Sequence, residues 1–399
     1  MTAAISTILK DVQIRGANVT KHENNAKARQ ELLESARRLV AELENPFETV
    51  GRMSWFEPTR YAVTRVAFDI KLFESIMAND GAPKTTQKLA EMTECDVVLL
   101  SRFLKHLLSA GFVEETSPNE YTGNAMTAAL ATRIAQGTVK NCFDHITTIK
   151  DKLCEFLRKT NYQNPTDKDA SIFMYAKETN LHYFDYIKQP GHEEQLQDMA
   201  NHMDMKTLGQ KWFQSSNINI TELFDNPTNP DSVLMIDIGG SSGHDISDFH
   251  KAFPDLPGKL VLQDLPSTID VIPKGTLPAA IKAQGYDFFT PQPVNEAKVY
   301  YLHHVLHDWP DEACRKILAN IAPVMKRGYS KILLNEVVIK DQGAEWFATS
   351  LDMLMMLTHS AHERTERQWR DLVESAGLKV SRILDADAVP EKIIEIELA

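Results

Sequence analysis

Apolar residues recur every three or four positions through much of the first third of the chain, a periodicity that predicts amphipathic helices. Thr85 and Asp96 stand where the N-caps of two short helices are expected, and Gly111 stands where the second of these helices ends. The polar turn that follows predicts a β-hairpin as far as Tyr121. The predicted helices cover residues 26–43, 59–79, 85–92 and 96–110.

Two short helices followed by a hairpin are the plan of a winged helix, a fold that often binds DNA. The second of these helices would then be the recognition helix, and it carries only Arg102 and Lys105 as firmly charged cations. A helix that reads DNA should present a basic face. We therefore expect the winged helix to serve packing or dimerisation, and a DNA-binding regulator is the less favoured alternative.

From about residue 232 onward, short apolar runs alternate with amphipathic stretches. This alternation of strands and helices predicts an α/β domain with a mostly parallel sheet. In such sheets a ligand binds beyond the carboxyl ends of the strands. The predicted strands are residues 232–238, 259–263, 297–302 and 331–339, and the predicted helices between and after them are residues 245–252, 311–321, 345–357 and 366–376.

The length of 399 residues is enough for about two or three domains. Residues 126–225 are mostly helical and rich in Met and aromatic residues, most of which we expect in a core and some in an apolar pocket. A run of Asn and Pro at 225–230 separates them from the α/β pattern. We predict a helical and winged-helix domain at 1–130, connecting helices at 131–225 and an α/β domain at 226–399.

Forty-three basic and 55 acidic residues give the chain a formal charge of −12. Such a surface repels nucleic acid and anionic lipid, so we expect neither as a partner. The first residues include Lys10, Asp11 and Arg15 without a signal-peptide core, and no apolar run is long enough to span a bilayer. Four cysteines stand far apart without a CxxC pair. This usage favours a reducing cytoplasmic compartment, the cytosol.

Three acidic residues follow apolar stretches at the expected strand ends. Asp237 precedes a pair of glycines, in a loop that lacks the G-x-G-x-x-G of dinucleotide-binding proteins. Asp264 follows the second strand, where a carboxylate can accept hydrogen bonds from ribose hydroxyls. Asp287 could accept one from an adenine amino group while Phe288 covers the ring. Each acid alone is more readily explained as a solvated loop residue, but the series predicts an adenosine-containing ligand.

His303 and His307 lie four positions apart at the end of the third predicted strand, a spacing that would suit a metal site. No H-E-x-x-H sequence or neighbouring cysteine accompanies them, so we expect no metal. His307 stands at the strand-to-helix junction before Pro310, a position that favours a general base. Glu336 and Glu363 are acids that could serve it, although Glu336 could equally be paired with an Arg or Lys in the core.

Taken in this order, the motifs resemble those of class I S-adenosylmethionine-dependent O-methyltransferases of the plant caffeate and flavonoid type, and of their fungal secondary-metabolism relatives most closely. The resemblance covers about residues 55–395. It implies a Rossmann-like methyltransferase domain preceded by a helical winged-helix dimerisation domain, and hence a homodimer. The matching stretches are residues 237–243, 263–266, 287–288, 307–311, 335–336 and 363–365.

The resemblance also implies which residues bind the donor, S-adenosyl-L-methionine. Gly239 and Gly240 would pass under its methionine part. Asp264 would bind the ribose, and Asp287 with Phe288 would bind the adenine.

Two positions depart from the plant pattern. Ser241 stands where plant enzymes usually have a third consecutive glycine, and His303 stands where they often have a cation that reaches the donor. We keep His303, together with Asp237, among the candidate donor-binding residues.

For catalysis the resemblance implies that His307 is the general base, flanked by Glu336 and Glu363. The chain would then transfer a methyl group to a phenolic hydroxyl of a small aromatic metabolite, and the fungal relatives suggest a polyketide-derived one. The candidate acceptor-binding residues are Asp308, Met353 and Met356. Packing within a helical region would explain the two methionines equally well.

Two other enzyme classes share parts of this pattern. One binds the donor on the same scaffold without transferring its methyl group, and uses the sulfonium to direct a cyclisation or pericyclic step. Such an enzyme needs no phenol base, so His307, Glu336 and Glu363 argue against it. The other is a nicotinamide-dependent oxidoreductase, which the incomplete glycine motif disfavours.

Overall fold

The computed structural model describes residues 2–21, 25–207, 211–224, 229–386 and 391–399. Part of the predicted domain break, residues 225–228, lies outside the described residues. The helices are α1 Thr2–Lys21, α2 Ala26–Leu43, α3 Pro46–Gly51, α4 Glu57–Asp69, α5 Leu72–Met77, α6 Thr86–Thr93, α7 Val97–Ser109, α8 Ala125–Leu130, α9 Arg133–Lys140, α10 Thr147–Lys159, α11 Ile172–Lys177, α12 Tyr183–Tyr186, α13 Glu193–Met203, α14 Ile220–Leu223, α15 His244–Ala252, α16 Pro266–Ile269, α17 Asp311–Ile321, α18 Trp346–His359 and α19 Glu366–Ser375. The strands are β1 Lys84–Thr85, β2 Glu114–Ser117, β3 Glu120–Thr122, β4 Val233–Ile238, β5 Lys259–Asp264, β6 Ile281–Gly285, β7 Val299–His303, β8 Lys331–Ile339, β9 Arg364–Thr365, β10 Leu378–Asp385 and β11 Glu391–Leu398.

Internal contacts divide the chain into two compact units. The first consists of residues 1–147 with 190–206, and the second of residues 148–189 with 207–399. The predicted connecting part, residues 131–225, is therefore shared between the units. The three-part division made from the sequence stays a prediction.

The first unit contains the helix–helix–hairpin arrangement expected for residues 85–121. Helices α6 and α7 precede the hairpin, and strands β1, β3 and β2 lie side by side in that order as an antiparallel sheet. Thr85 and Asp96 are N-caps, as predicted, because the side chain of each accepts a hydrogen bond from backbone N–H groups of the following turn. Gly111 follows α7 with a φ of +72°, a backbone conformation that favours glycine.

One predicted helix is wrong. Residues 59–79 contain two helices, α4 and α5, and the chain between them passes through Lys71 with a φ of +51°. Phe68 before the break and Phe73 after it belong to the same hydrophobic core. Neither Gly nor Pro marks this break in the sequence, so the apolar periodicity continues across it.

A buried lysine joins the end of α5 to β1 in the first unit. Lys84 Nζ donates hydrogen bonds to three backbone carbonyl oxygens, where a helix end leaves acceptors without partners of its own. Burial lowers the pKa of Lys84, but three hydrogen bonds require the ammonium form. The three acceptors belong to Ile76, Ala78 and Ala82, at 3.0, 2.6 and 2.8 Å.

The second unit is built on an eight-stranded sheet with the order β10-β11-β8-β7-β4-β5-β6 and with the short β9 beside β8. Strands β8, β7, β4, β5 and β6 are parallel, whereas β11 is antiparallel to β8 and β10 is antiparallel to β11. The four predicted strands are confirmed as β4, β5, β7 and β8. The Rossmann-like, mostly parallel sheet is confirmed with them.

Four strands of this sheet are missing from the predicted strands, namely β6, β9, β10 and β11. In β6 only Ile281 is buried, and β10 and β11 mix apolar with charged residues. Strands near the edge of a sheet need little apolar surface, so they leave no continuous apolar run in the sequence. Helix α1 was not predicted either, because its apolar positions are weakly patterned.

Two hydrophobic cores cover the two faces of the sheet. Along β4, Met235 packs in one core and Ile236 in the other, and along β7 Tyr301 and Tyr300 divide in the same way. This follows from the alternation of side chains along a strand. Because these strands are parallel, their carboxyl ends lie at the same edge of the sheet, and the candidate site residues lie at or just after those ends. Within the described residues, no helix combines the length and apolarity needed to cross a bilayer.

We expect Lys84→Met to lower the free energy of unfolding by about 2–4 kcal/mol, because three carbonyl oxygens lose a charged donor. Denaturant unfolding followed by circular dichroism measures this loss. Lys88→Met on α6 is the matched control, since Lys88 is exposed and pairs only with Glu91 at 3.4 Å. The control should change stability by less than about 0.5 kcal/mol. Equal losses in both variants would contradict the role given to Lys84.

Candidate active site

The loop after β4 brings the backbone close to neighbouring elements. Gly239 and Gly243 have φ values of +74° and +80°, which glycine adopts without strain. Gly239 N–H donates to the backbone oxygen of Gln263 at 2.7 Å. A Cβ atom on Gly240 would lie 2.5 Å from Asp237 Oδ2. The two predicted glycines therefore leave a bare stretch of backbone that a ligand can approach closely.

Asp264 lies half-buried at the end of β5, beside this loop. Its Oδ2 atom accepts a hydrogen bond from Ser241 N–H at 2.9 Å, and its Oδ1 atom accepts one from Leu265 N–H at 2.7 Å. These two bonds orient the carboxylate, and each oxygen retains a second lone pair. The carboxylate can therefore accept further hydrogen bonds from hydroxyl groups of a ligand.

Asp287 and Phe288 follow β6 at the same edge of the sheet. Asp287 Oδ1 accepts a hydrogen bond from Phe289 N–H at 2.9 Å. The Phe288 ring packs edge-on against Trp309 with a centroid distance of 5.9 Å. Its Cε1 atom lies 4.0 Å from the place where a Cβ atom of Gly239 would be. The structure therefore brings Phe288 to the glycine loop.

Asp237 differs from the other two acids because it is almost completely buried. Burial, together with the negative charges of Asp245 and Asp264, raises the pKa of Asp237 well above its usual range. Among the residues that the structure describes, its Oδ2 atom has no hydrogen-bond partner. We expect a neutral carboxyl group behind the glycine loop, where the sequence analysis predicted a donor-binding acid.

His303 forms a hydrogen bond through Nδ1 with Oδ2 of Asp245, in the first turn of α15. The same oxygen accepts a hydrogen bond from Tyr301 Oη at 3.2 Å, and Lys211 Nζ lies 3.9 Å from Asp245 Oδ1. Burial alone would raise the pKa of Asp245, but the charges and hydrogen bonds of these neighbours lower it well below its usual range. Sequence reasoning did not identify this network, although Asp245 directly follows the quoted loop.

His307 lies in a short 3-10 turn between β7 and α17, and its ring is buried. Its Nδ1 atom is hydrogen-bonded to Glu363 Oε1 at 2.7 Å. A carboxylate at Nδ1 keeps the proton on that nitrogen and makes Nε2 the basic one. Val305, two residues earlier, lies against the glycine loop, because its Cγ2 atom is 2.9 Å from the place of a Cβ atom on Gly239. The turn of the predicted base therefore adjoins the predicted donor site.

Glu336 is also buried beside His307, but its hydrogen bonds go to the backbone. Its Oε1 atom accepts hydrogen bonds from Val305 N–H at 3.1 Å and from Leu306 N–H at 2.9 Å. Burial, together with the negative charge of Glu363, raises the pKa of Glu336 to about 7. Glu336 thus binds the start of the turn, whereas Glu363 binds the ring of the base.

Arg364 is completely buried and binds the other side of the same turn. Its guanidinium donates to the carbonyl oxygens of Leu306 at 3.1 Å and Trp309 at 2.9 Å, and to Asp311 Oδ1 at 2.8 Å. Sequence reasoning quoted Arg364 in the Glu-Arg-Thr motif and gave it no role. Its place directly after Glu363 was the available signal, since Glu363 immediately precedes the short strand β9, which begins at Arg364.

Among the residues that the structure describes, two clusters of imidazole and carboxylate atoms are close enough together to be considered as metal sites. One consists of His307, Glu336 and Glu363. His307 Nδ1 and one oxygen of each glutamate are engaged in the hydrogen bonds described above, and a carboxyl group with a raised pKa is a poor cation ligand. The other cluster consists of His303, His304 and Glu391. The expectation of a metal-free site stays a prediction.

The candidate acceptor residues lie in different surroundings. Asp308 Oδ1 is 3.5 Å from His307 Nε2 and 3.6 Å from His359 Nε2, so the structure brings Asp308 to the predicted base. Met356 is half-buried on α18, while Met353 on the same helix is 47% exposed. The sequence analysis passed over His359, whose buried ring lies beside Asp308.

A family model described as an O-methyltransferase domain matches residues 195–379 of the chain. The chain is 31% identical over 403 residues to the O-methyltransferase mpaG of Penicillium roqueforti, and the match covers 100% of both proteins. It is 37% identical over 354 residues to the demethylsterigmatocystin 6-O-methyltransferase of Aspergillus flavus, with 88% of each protein covered.

Solved structures resemble the chain over its whole length. The complex of LepI with SAM matches with a TM-score of 0.86 at 27% identity and covers 100% of both chains. A structure described as a pericyclic reaction enzyme matches with a TM-score of 0.87, also at 27% identity and 100% coverage of both chains. OxaC in complex with SAH and oxaline has a TM-score of 0.83 at 24% identity, with 100% of both chains covered, a likeness of fold alone.

We expect Glu336→Gln to gain stability relative to the wild type as the pH rises from about 5 to about 8. The raised pKa of about 7 means that the folded chain binds this proton more tightly than the unfolded chain does. Wild-type stability therefore falls as pH rises between the unfolded and folded pKa values, and a shift of this size corresponds to about 3 kcal/mol. Glutamine has no proton to lose.

Chemical denaturation of both proteins over this pH range measures the difference. Glu366→Gln, exposed on α19, is the matched control and should follow the wild type at each pH. A stability difference between Glu336→Gln and wild type that does not change with pH would mean that Glu336 keeps one protonation state throughout the range.

Proposed function

This chain belongs to the S-adenosylmethionine-dependent O-methyltransferases, and from that premise we propose that it methylates a phenolic hydroxyl of a small aromatic metabolite with His307 as the general base. One observation carries the proposal. The buried ring of His307 is bound through Nδ1 to Glu363 at 2.7 Å, in a turn that packs on the glycine loop. A base for the acceptor and a binding loop for the donor are then neighbours.

We assign donor binding to the edge where β4, β5 and β6 end. The bare backbone at Gly239 and Gly240 suits the methionine part, since a side chain there would collide with its surroundings. The half-buried carboxylate of Asp264 suits the ribose hydroxyls. Asp287 and Phe288 suit the adenine, because Phe288 lies beside the loop and an aromatic ring can pack on a planar group.

His303 and Asp237 contribute to the donor site in a different way from the other candidates. His303 is hydrogen-bonded to Asp245, so it presents its second ring nitrogen from a fixed orientation. Asp237 is buried behind the loop and burial raises its pKa well above the usual range, so we propose that it supports the loop and leaves charge recognition to Asp264.

The chemical task explains why a base is needed. A phenol has a pKa of about 10, so roughly one molecule in a thousand is ionised at pH 7, a handicap of about 4 kcal/mol. A positioned base supplies about 10²–10⁴-fold in rate, which is comparable. S-adenosylmethionine supplies an electrophilic methyl group on a sulfonium. His307 Nε2 takes the phenol proton as the oxygen–methyl bond forms, and S-adenosylhomocysteine is released.

The residues around His307 make it suited to this step. Glu363 stabilises the imidazolium that forms and keeps the ring in one tautomer. Glu336 and Arg364 hold the backbone of the 3-10 turn that carries His307, because Glu336 accepts a hydrogen bond from Leu306 N–H and Arg364 donates one to the Leu306 carbonyl oxygen. We therefore propose that Glu363 acts on the base directly and that Glu336 positions it.

The acceptor that we propose is a planar, polyketide-derived phenol. Relatives named demethylsterigmatocystin 6-O-methyltransferase support an aromatic polyketide as the substrate class. Asp308, beside Nε2 of the base, would contact such an acceptor. Met353 and Met356 remain candidates for its apolar surroundings, because flexible thioether side chains pack well on flat rings.

A donor-binding pericyclase is the second candidate, favoured by the likeness to the pericyclic reaction enzyme at 27% identity. A reaction without methyl transfer requires no proton acceptor for a phenol. The buried pair of His307 and Glu363 therefore supports methyl transfer over the pericyclic alternative.

We propose that the first unit is a winged-helix dimerisation domain and that the protein is a homodimer in the cytosol. The helix–helix–hairpin arrangement supports the first statement, and four free cysteines support the compartment. Large apolar side chains that are exposed on the single chain support dimerisation. They include Leu43, Phe47, Met53 and Trp55, which are 60%, 84%, 63% and 76% exposed.

Incubation with S-adenosylmethionine and a panel of polyketide phenols, namely orcinol, orsellinic acid and emodin, tests the function. We expect a product heavier by one CH₂ group and an equal amount of S-adenosylhomocysteine, both read by mass spectrometry. Conversion of a phenol without a mass change and without consumption of the donor would favour the pericyclase.

His307→Gln should lower turnover by about 10²–10⁴-fold, because glutamine cannot accept the phenol proton. Donor affinity, measured by calorimetry, should stay within about threefold, since His307 is not assigned to donor binding. Glu363→Gln should lower turnover less, because it keeps a hydrogen-bonding group but loses the charge that stabilises the imidazolium. Near-normal turnover of His307→Gln would refute the assignment of the base.

A further inference from the structure

Three ionisable side chains extend in series from the base, and the methyl transfer described above gives none of them a role in moving its proton. Asp308 Oδ1 lies between Nε2 of His307 at 3.5 Å and Nε2 of His359 at 3.6 Å. On the far side, His359 Nδ1 is hydrogen-bonded to His182 Nε2 at 3.4 Å. His359 is buried and His182 is half-buried. The four side chains therefore form a series that leads from the buried base toward the surface of the second unit.

The fold fixes both outer rings in place. His359 is the last residue of α18, and its ring stacks on Phe184 with a centroid distance of 5.1 Å. His182 directly precedes α12, and its ring stacks on Trp309 at 4.9 Å with an interplanar angle of 8°. The two imidazole rings also stack on each other with a centroid distance of 5.1 Å, so each ring has an aromatic neighbour on two sides.

Both outer imidazoles are neutral in the resting protein. Burial lowers the pKa of His182 to about 4, and burial together with the neighbouring imidazoles lowers the pKa of His359 well below its usual range. A neutral imidazole accepts a proton at one nitrogen and can donate one from the other. The two rings therefore have the chemistry required to pass a proton along without storing it.

We propose that Asp308, His359 and His182 carry the acceptor proton from His307 to solvent. This inference rests on the proposed function, in which His307 Nε2 takes that proton from the phenol. The N–H bond at His307 Nε2 then breaks as an O–H bond forms at Asp308 Oδ1, and this O–H bond breaks as His359 Nε2 is protonated. His359 releases a proton from Nδ1 to His182 Nε2, and His182 releases one from its own Nδ1 to water.

In total, these transfers move one proton from the phenol to solvent. Both histidines finish with the proton on Nε2. After the product leaves, water protonates His182 at Nδ1, a proton passes back through His359 to Asp308, and Asp308, whose side chain is partly exposed, releases it to water. This return restores the first tautomer of each ring. Without the series, the imidazolium of His307 would be enclosed with the bound product and could lose its proton only after the product leaves. This proton relay through Asp308, His359 and His182 therefore separates proton release from product release.

Rapid-mixing kinetics of the full-length protein test the relay, with the panel phenol that gives the highest turnover. Methyl transfer in the first turnover is followed by quenching and mass spectrometry, and proton release by a pH-indicator dye in weak buffer. In the wild type both should have the same rate. In His359→Phe we expect methyl transfer within about twofold of wild type and proton release about tenfold slower.

Chemical rescue separates a proton-transfer role from a packing role. Imidazole should restore the rate of proton release in His359→Phe and in His182→Phe, and should have no effect on the wild type. The dye signal is calibrated with added acid at each imidazole concentration, because imidazole itself buffers the solution. Phe184→Leu is the matched control, since it removes a ring that stacks on His359 but no protonatable atom. Proton release in this control should not respond to imidazole. His359→Gln, a smaller polar replacement, provides a second variant of the same position.

Two results would overturn the relay. One is proton release at the rate of methyl transfer in His359→Phe and His359→Gln. The other is slow proton release in these His359 variants that imidazole does not accelerate, because that result would assign His359 a packing role. Failure of the wild type to methylate any panel phenol would instead contradict the proposed function on which the relay depends.

Discussion

The position of His307 depends on a buried turn whose backbone is satisfied from both sides. Buried N–H and C=O groups need partners, and a short 3-10 turn cannot supply enough of them itself. Glu336 accepts from two N–H groups at the start of the turn, and Arg364 donates to two carbonyl oxygens further along it. Glu363 can then bind the ring itself, because the backbone that carries the ring is already fixed.

The fold was predictable wherever one residue pattern dominated a whole element. Strands β4, β5, β7 and β8 are buried on both faces, so each appears in the sequence as an apolar run, and together they predicted the parallel sheet. The acids and the histidine that end these strands predicted the place of the site. Strand β6 and the helix break at Lys71 have no such pattern. They depend on tertiary contacts, which cannot be inferred from the order of residues alone.

The side-chain networks of the site were less predictable for the same reason. Arg364 and Lys84 read as surface cations, since arginine and lysine are rarely buried, yet each satisfies several carbonyl oxygens in the interior. From the sequence, His359 is simply a residue near a helix end. Its contact with Asp308 is visible only in the structure, where α18 lies beside the turn that contains Asp308. Their functions come from partners distant in sequence.

Residue type alone therefore does not determine the role of an acid in this site. Asp237 and Asp264 both end strands of one sheet, yet burial raises the pKa of the first well above its usual range, while the second lies half-buried and can accept further hydrogen bonds. Glu336 and Glu363 lie beside one histidine, but Glu336 binds the backbone and Glu363 binds the ring. What each carboxyl group can do depends on how far it is removed from water and on which donors it meets there.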